Sequence, residues 1–397
     1  MQSISEKINY GVRIEILFFS CVIFFVTFKP AFKLDDWAVP NLPQYVYFIQ
    51  NLSQYISSLG LILCVSIFFL VSKNIKIRLS LTSITIAFVL ILYALRSFMV
   101  GSQDYKNIIS MILIFLIFIY FSSFNNSYRK CIPYYSILIA MGLWLLFNIS
   151  LLSFGYGYAL LDTSSRFFGI SPHPNFTGAY ACVSLAFFLI IFLKNRIYLN
   201  KFLFFALIGS SITLIVLSGS RSALLGALVC LMIGLPNKYK LYPIILGFIF
   251  YLIFFVFYID NQFYLALDRM KNAPLDNRNV VWSFLMDDFF RNPIWGSGDF
   301  SGVSGSGFLT ALGGTGLMGG AFFIISMLVL LLISFRNILF VNYFNRNNEE
   351  YCLIFIMIFL LSFFEGYIFD KFGLFQILLL LSATMIGPFS SKSFIYK

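Results

Sequence analysis

The chain has 397 residues, 60% of them hydrophobic and 11% charged, with a formal net charge of +11 and a mean hydropathy of +0.90. An ordinary soluble domain carries about 25% charged residues. The 51 phenylalanines exceed what one buried core takes up, so a soluble globular protein is excluded.

Crossing a bilayer takes about 20 mostly apolar residues. Twelve candidate spans follow in chain order: 14–28, 45–71, 79–95, 107–121, 131–152, 175–193, 202–217, 222–235, 241–258, 307–334, 351–368 and 372–388. The first is followed by Lys29, Pro30, Ala31 and Phe32, without a small-x-small cleavage pattern, and reads as a retained anchor. The seventh and eighth are short and meet at Ser218, Gly219, Ser220 and Arg221, so they also read as one broken helix pair. The fold class expected is an all-α membrane protein of about twelve transmembrane helices. It forms one polytopic domain, 1–397, with a long, partly helical loop at 259–306.

Charge placement gives an orientation. With a cytoplasmic N-terminus and alternating spans, 16 of the 27 Lys and Arg fall inside against four acidic residues, a net +12. The other 11 basic and 12 acidic residues fall outside, a net −1. This is the positive-inside bias, with both termini cytoplasmic. The net positive charge follows topology and predicts no nucleic-acid partner. The six cysteines each fall singly in or at the edge of a span, without metal-ligand spacing. They read as small apolar side chains.

Ionisable groups are scarce within the spans, with Glu15 and Glu365 near span ends. Transporters of charged solutes place such groups near mid-membrane. The polar chemistry gathers in two outer segments and one break. The first segment, 153–177, holds Asp162, Arg166 and the only histidine, His173, between Pro172 and Pro174. The prolines stiffen its backbone, and Asn175 is placed to cap the helix that follows. His173 suits proton transfer near neutral pH, although a residue in a stiff interfacial turn is the plainer reading. The break at 218–221 offers a new helix start, whose N–H groups favour an anion. Arg221 adds a fork for two phosphate oxygens; the plainer reading is an arginine reaching for headgroups. The second segment, 259–306, carries Arg269, Lys271, Arg278 and Arg291 with Asp260, Asp268, Asp276, Asp287, Asp288 and Asp299. Residues 279–291 have a helical pattern, with Val281, Trp282, Leu285, Phe289 and Phe290 as its apolar side. Most of the six acidic residues read as a solvated balance to the arginines. Eight glycines between 302 and 320 suit close approach of backbone to a ligand or another helix.

Three pieces together resemble a known family. They are GISPHPN at 169–175, SGSRSALL at 218–225, and RNVVWSFLMDDFFRNPIWGSG at 278–298 followed by LTALGGTGLMG at 309–319. In this order the chain is similar to the O-antigen polymerase and O-antigen ligase superfamily, polytopic bacterial glycosyltransferases of the GT-C-like type. The resemblance implies an undecaprenyl-pyrophosphate-linked oligosaccharide as both donor and acceptor, a chain-length regulator as a further partner, and membrane lipids around the chain. It implies that Arg221 and Arg278 hold the pyrophosphate; Arg166, Arg269 and Arg291 are further candidates as outer arginines. Ligases of the family carry His-Asn just before the L-x(2)-L stretch. Here Gly305 and Ser306 stand there, which favours a polymerase on the periplasmic face of the inner membrane.

Pyrophosphate is already a good leaving group, so such a site must supply cationic stabilisation and alignment of two substrates. Arginines suffice, and no metal or cofactor is expected. Asp287, Asp288, Asp299 and His173 stay open as the base for the acceptor hydroxyl. The alternatives are a ligase passing glycan to lipid A–core and, third, a flippase for the lipid-linked oligosaccharide. A flippase calls for buried charges and comparable loops on both faces. A non-enzymatic scaffold leaves the arginine-rich loop without a role.

Overall fold

The computed structural model describes residues 10–30, 40–71, 75–77, 79–100, 105–124, 129, 131–158, 166–194, 201–235, 277–298, 305–340, 348–369, 373–386 and 394–396. Among the described residues are twelve α-helices: α1 Tyr10–Val26, α2 Gln44–Val71, α3 Leu81–Val100, α4 Tyr105–Ser122, α5 Cys131–Ser153 and α6 Pro174–Lys194; then α7 Lys201–Leu217, α8 Arg221–Gly234, α9 Asn277–Arg291, α10 Gly307–Phe335, α11 Glu349–Ser362 and α12 Leu374–Ile386. Eleven coincide with expected spans, and α9 falls on the helical pattern of the long loop. The span expected at 241–258 lies outside the described residues. Two short strands, β1 Ile75–Ile77 and β2 Phe394–Tyr396, pair antiparallel.

Six helical segments are long and apolar enough to cross a membrane: Gln44–Leu70, Leu81–Val100, Tyr105–Ser122, Cys131–Ser153, Pro174–Leu193 and Gly307–Ile338. Large apolar side chains such as Phe48, Leu70, Phe88, Phe202, Phe322 and Leu332 point outward from them and from α7. A water-soluble surface does not carry that much contiguous apolar area. The chain is a helical membrane protein.

The packing is centred on α6, whose spanning window is 89% buried against 33–44% for the other five. A helix that is apolar all round belongs in the middle of a bundle. α6 packs on α7, α8 and α11, and Gly178 admits the start of α8 closely. Around this centre, α1 packs on α2 and α5, α3 on α4 and α10, and α12 on α11, α3 and α4.

Hydrogen bonds gather the helix ends into two groups. In one, Gln50 near the start of α2 reaches Ile170 before α6. Arg96 near the end of α3 reaches Gly296, and Ser306 before α10 reaches Ser362 at the end of α11. In the other, Ser80 before α3 reaches Ala383 in α12, and Asn348 before α11 reaches Met385. Here too Arg129, just before α5, pairs with Glu15 of α1 at 2.5 Å. Both are buried, and the Arg129 guanidinium also lies 4.4 Å over the Phe68 ring. Glu15, read as lying near a span end, is thus a buried tie between α1 and the segment before α5.

α10 is not continuous. At Gly316 the backbone turns to φ 59°, ψ −158°, a region essentially reserved for glycine. The segment after α9 fits against this break. Leu317 N donates to Pro293 O at 2.8 Å, Met318 N to Ile294 O at 3.2 Å, and Ser297 N to Gly313 O at 2.7 Å. Irregular backbone at membrane depth persists where protein satisfies its polar groups. Gly313, Gly314 and Gly316 therefore serve close backbone packing, here against the irregular segment after α9.

Candidate functional site

The first group of helix ends contains the break between α7 and α8. Gly219 makes the turn at φ 60°, which an L side chain resists. Ser220 is the N-cap of α8, its side chain accepting from Ala223 N at 3.4 Å. Ser218 Oγ donates to Ile215 O at 2.7 Å. Gly178 of α6 sits against this turn, where a Cβ would come within 2.5 Å of Ser218 Oγ and 2.9 Å of Ser220 Cβ. The break is thus pressed on the central helix at the one kind of residue that allows it. Arg221 opens α8 with its side chain exposed.

A chain of hydrogen bonds fastens the break to two other segments. Phe167 N donates to Leu217 O at 3.0 Å, and Arg166 Nε donates to Ser218 O at 2.7 Å. The Arg166 guanidinium also donates to Asn175 Oδ1, and Asn175 Nδ2 donates to Glu365 Oε1 at 2.7 Å. Arg166 is only 6% exposed. It braces the site and presents little surface to a ligand. The stretch around residue 170 is held from below: Asn148 Oδ1 accepts from Ile170 N at 3.1 Å, and Gln50 Nε2 donates to Ile170 O at 3.1 Å.

Asn175 is not the cap the sequence suggested. α6 begins at Pro174, a residue suited to a first helical position, so Asn175 lies inside the first turn. The residue before it caps instead: His173 Nδ1 accepts from Asn175 N at 3.2 Å. A neutral imidazole accepting at Nδ1 carries its proton on Nε2. In that state it has no lone pair for a substrate hydroxyl. Asn175 is left to bridge Arg166 and Glu365.

α9 lies along the first half of α10. Trp282 Nε1 donates to Gly305 O at 2.9 Å; Leu285 and Asp288 are buried, Asp288 near Gly313. Phe290, expected on the apolar side, is 68% exposed, as Val280 is at 71%. The packed stripe is 281/282, 285 and 288, and helical spacing turns residue 290 away from it. Asp287 and Arg291 are exposed. Arg278 lies within α9, but its side chain, like Arg269 and Asp299, is outside the described residues.

Beside α9, an apolar groove of about 400 Å³ runs between α10 and α11, lined by Trp282, Ser306, Phe308, Leu312, Leu328 and Phe363 among others. At its Ser306 lining, Ser306 Oγ bonds Ser362 O at 3.2 Å, and a Cβ on neighbouring Gly307 would lie 3.5 Å from the backbone carbonyl of Glu365.

The structure therefore ties Arg166 and His173 through Asn175 to the break that Arg221 follows, and puts Asp287, Asp288 and Arg291 on a separate helix. It adds Asn175 and Glu365, which the sequence reading used only as a cap and a span-end charge. The available signal for Glu365 was its ionisable side chain bordering an apolar run, a costly placement that calls for a partner. Arg96, which donates to Gly296 O at 2.7 Å, carried the same signal. No family model matches the chain, and no curated protein matches it.

Proposed function

We propose that the chain is a surface-polysaccharide polymerase that joins undecaprenyl-pyrophosphate-linked repeat units. In this reading twelve spans place both termini in the cytoplasm. The end bearing Arg221 faces the periplasm, on the outer side of a bacterial inner membrane. The reading is supported above all by Arg221: an exposed guanidinium on the first residue of α8, at a break braced by Arg166 and Gly178. A helix start plus a guanidinium suits a pyrophosphate. The groove between α10 and α11 suits the hydrocarbon tail of the same amphiphile, and the resemblance in the second half of the sequence points the same way.

The chemistry follows from the groups present. The growing glycan sits on the donor pyrophosphate, and a hydroxyl of the next repeat unit attacks its anomeric carbon. As the carbon–oxygen bond to pyrophosphate breaks, its electron pair goes to the departing oxygen. A guanidinium at a helix start stabilises that charge without changing its own protonation. Arg278 is the second cation proposed for this role.

A complementation experiment in a strain lacking the gene tests the assignment. Arg221→Ala, inserted at wild-type abundance, is expected to lower polymer about 100-fold, leaving single repeat units where wild type gives a ladder on surface-glycan gels. A normal ladder removes Arg221 from the reaction. Loss of all glycan attachment, single units included, supports the ligase reading instead.

A further inference from the structure

We propose that Glu365 takes the proton from the attacking hydroxyl, with Asn175 and Arg166 as its positioning residues; this rests on the glycosyl-transfer reading above. The geometry has three parts. First, the backbone of Glu365 is fixed by the end of α11, its N–H donating to Leu361 O at 3.0 Å. Second, its carboxylate is oriented by the Asn175 amide at 2.7 Å. That amide cannot be turned over, since the Arg166 guanidinium donates to its oxygen. Third, the same Arg166 donates to Ser218 O, three residues before Arg221. One continuous polar chain thus joins the turn that presents the leaving-group cation to the half-buried Glu365.

Among the described residues, the other candidates fit less well. His173 accepts at Nδ1 in capping α6. Asp288 is buried against α10, and Asp287 lies exposed on α9, away from this chain of bonds. A carboxylate has about four lone-pair sites, so the bond from Asn175 is compatible with receiving a hydroxyl. In the step, the acceptor oxygen bonds to the anomeric carbon, and the carbon–oxygen bond to pyrophosphate breaks with its electrons. The hydroxyl proton passes to Glu365 and then to solvent.

Glu365→Gln is the test, because its carboxamide oxygen still accepts from Asn175 and so preserves the tether. Two readouts are taken on the purified full chain: polymer formed from undecaprenyl-pyrophosphate-linked repeat units, and binding of undecaprenyl pyrophosphate. The expected result is a loss of polymer of about 100-fold or more, with binding within about twofold of wild type, and partial activity in Glu365→Asp. Glu365→Gln at half the wild-type rate or above makes Glu365 a tether and overturns the proposal. Equal loss of binding and turnover also overturns it, by placing the residue in binding or folding. A wild-type chain that makes no polymer overturns this proposal together with the function it rests on; a wild-type chain that does separates the two.

Discussion

Arginines meet three different fates in this molecule, and their surroundings decide which. Arg129 is buried with Glu15 at 2.5 Å, with Tyr120 donating to the same carboxylate oxygen at 3.2 Å. Removing one member of a buried pair strands the other charge and costs about 3 kcal/mol or more. Arg129→Ala is therefore expected to lower the thermal unfolding midpoint of the purified protein sharply. Adding Glu15→Gln recovers part of the loss; no recovery contradicts an ion pair as the origin of the effect. Arg166 is spent on Ser218 O and Asn175, so its work is bracing. Arg221 is exposed on the first residue of a helix, so its guanidinium is the one proposed to meet the pyrophosphate. Sequence position alone did not separate the last two. Both read as outer arginines, and only the path of the chain between residues 166 and 218 shows which one is consumed internally.

Hydropathy made the apolar helices legible, since their lengths and composition answer to bilayer thickness alone. The break between α7 and α8 was legible too, because Ser218, Gly219 and Ser220 are poor helix interior residues next to a good cap. The break inside α10 was not. Eight glycines between 302 and 320 announced close packing without saying which peptide leaves the helix. That choice falls on Gly316 because the carbonyls of Pro293 and Ile294 bond the amides just after it. Gly316→Ala is expected to destabilise by about 2 kcal/mol from the strained backbone, with further loss because the added methyl overlaps Ile294. Gly209→Ala, in an open stretch of α7 with nothing within 4 Å, is the control and is expected to be neutral or to stabilise by up to about 1 kcal/mol. Equal unfolding midpoints for the two variants contradict the account of the break. The facing of α9 was half legible: Leu285 and Trp282 pack as expected, whereas Phe290 turns outward and Asp288 takes a buried position. An apolar tally cannot tell a core-facing phenylalanine from one facing lipid.

For the whole molecule, the grouping of helix ends bears on the proposed orientation. Hydrogen bonds collect the helix ends into two groups, and the proposed twelve-span orientation would give those two groups charges of −1 and +12. With the six native cysteines replaced, Asn292→Cys is expected to react with a membrane-impermeant thiol reagent on intact cells, and Arg336→Cys only after permeabilisation. The reverse pattern contradicts the orientation. The candidate site was legible as scattered polar pieces; what joins them, Asn175 and Glu365, depends on contacts 190 residues apart that no local pattern carries. The central claim is that these pieces form a polymerase for lipid-linked repeat units. Its most direct test is to incubate the purified chain, in lipid, with undecaprenyl-pyrophosphate-linked repeat units and nothing else. The account predicts a ladder of products lengthening one repeat at a time, still carried on undecaprenyl pyrophosphate. No lengthening, or transfer that occurs only once lipid A–core is supplied, contradicts it.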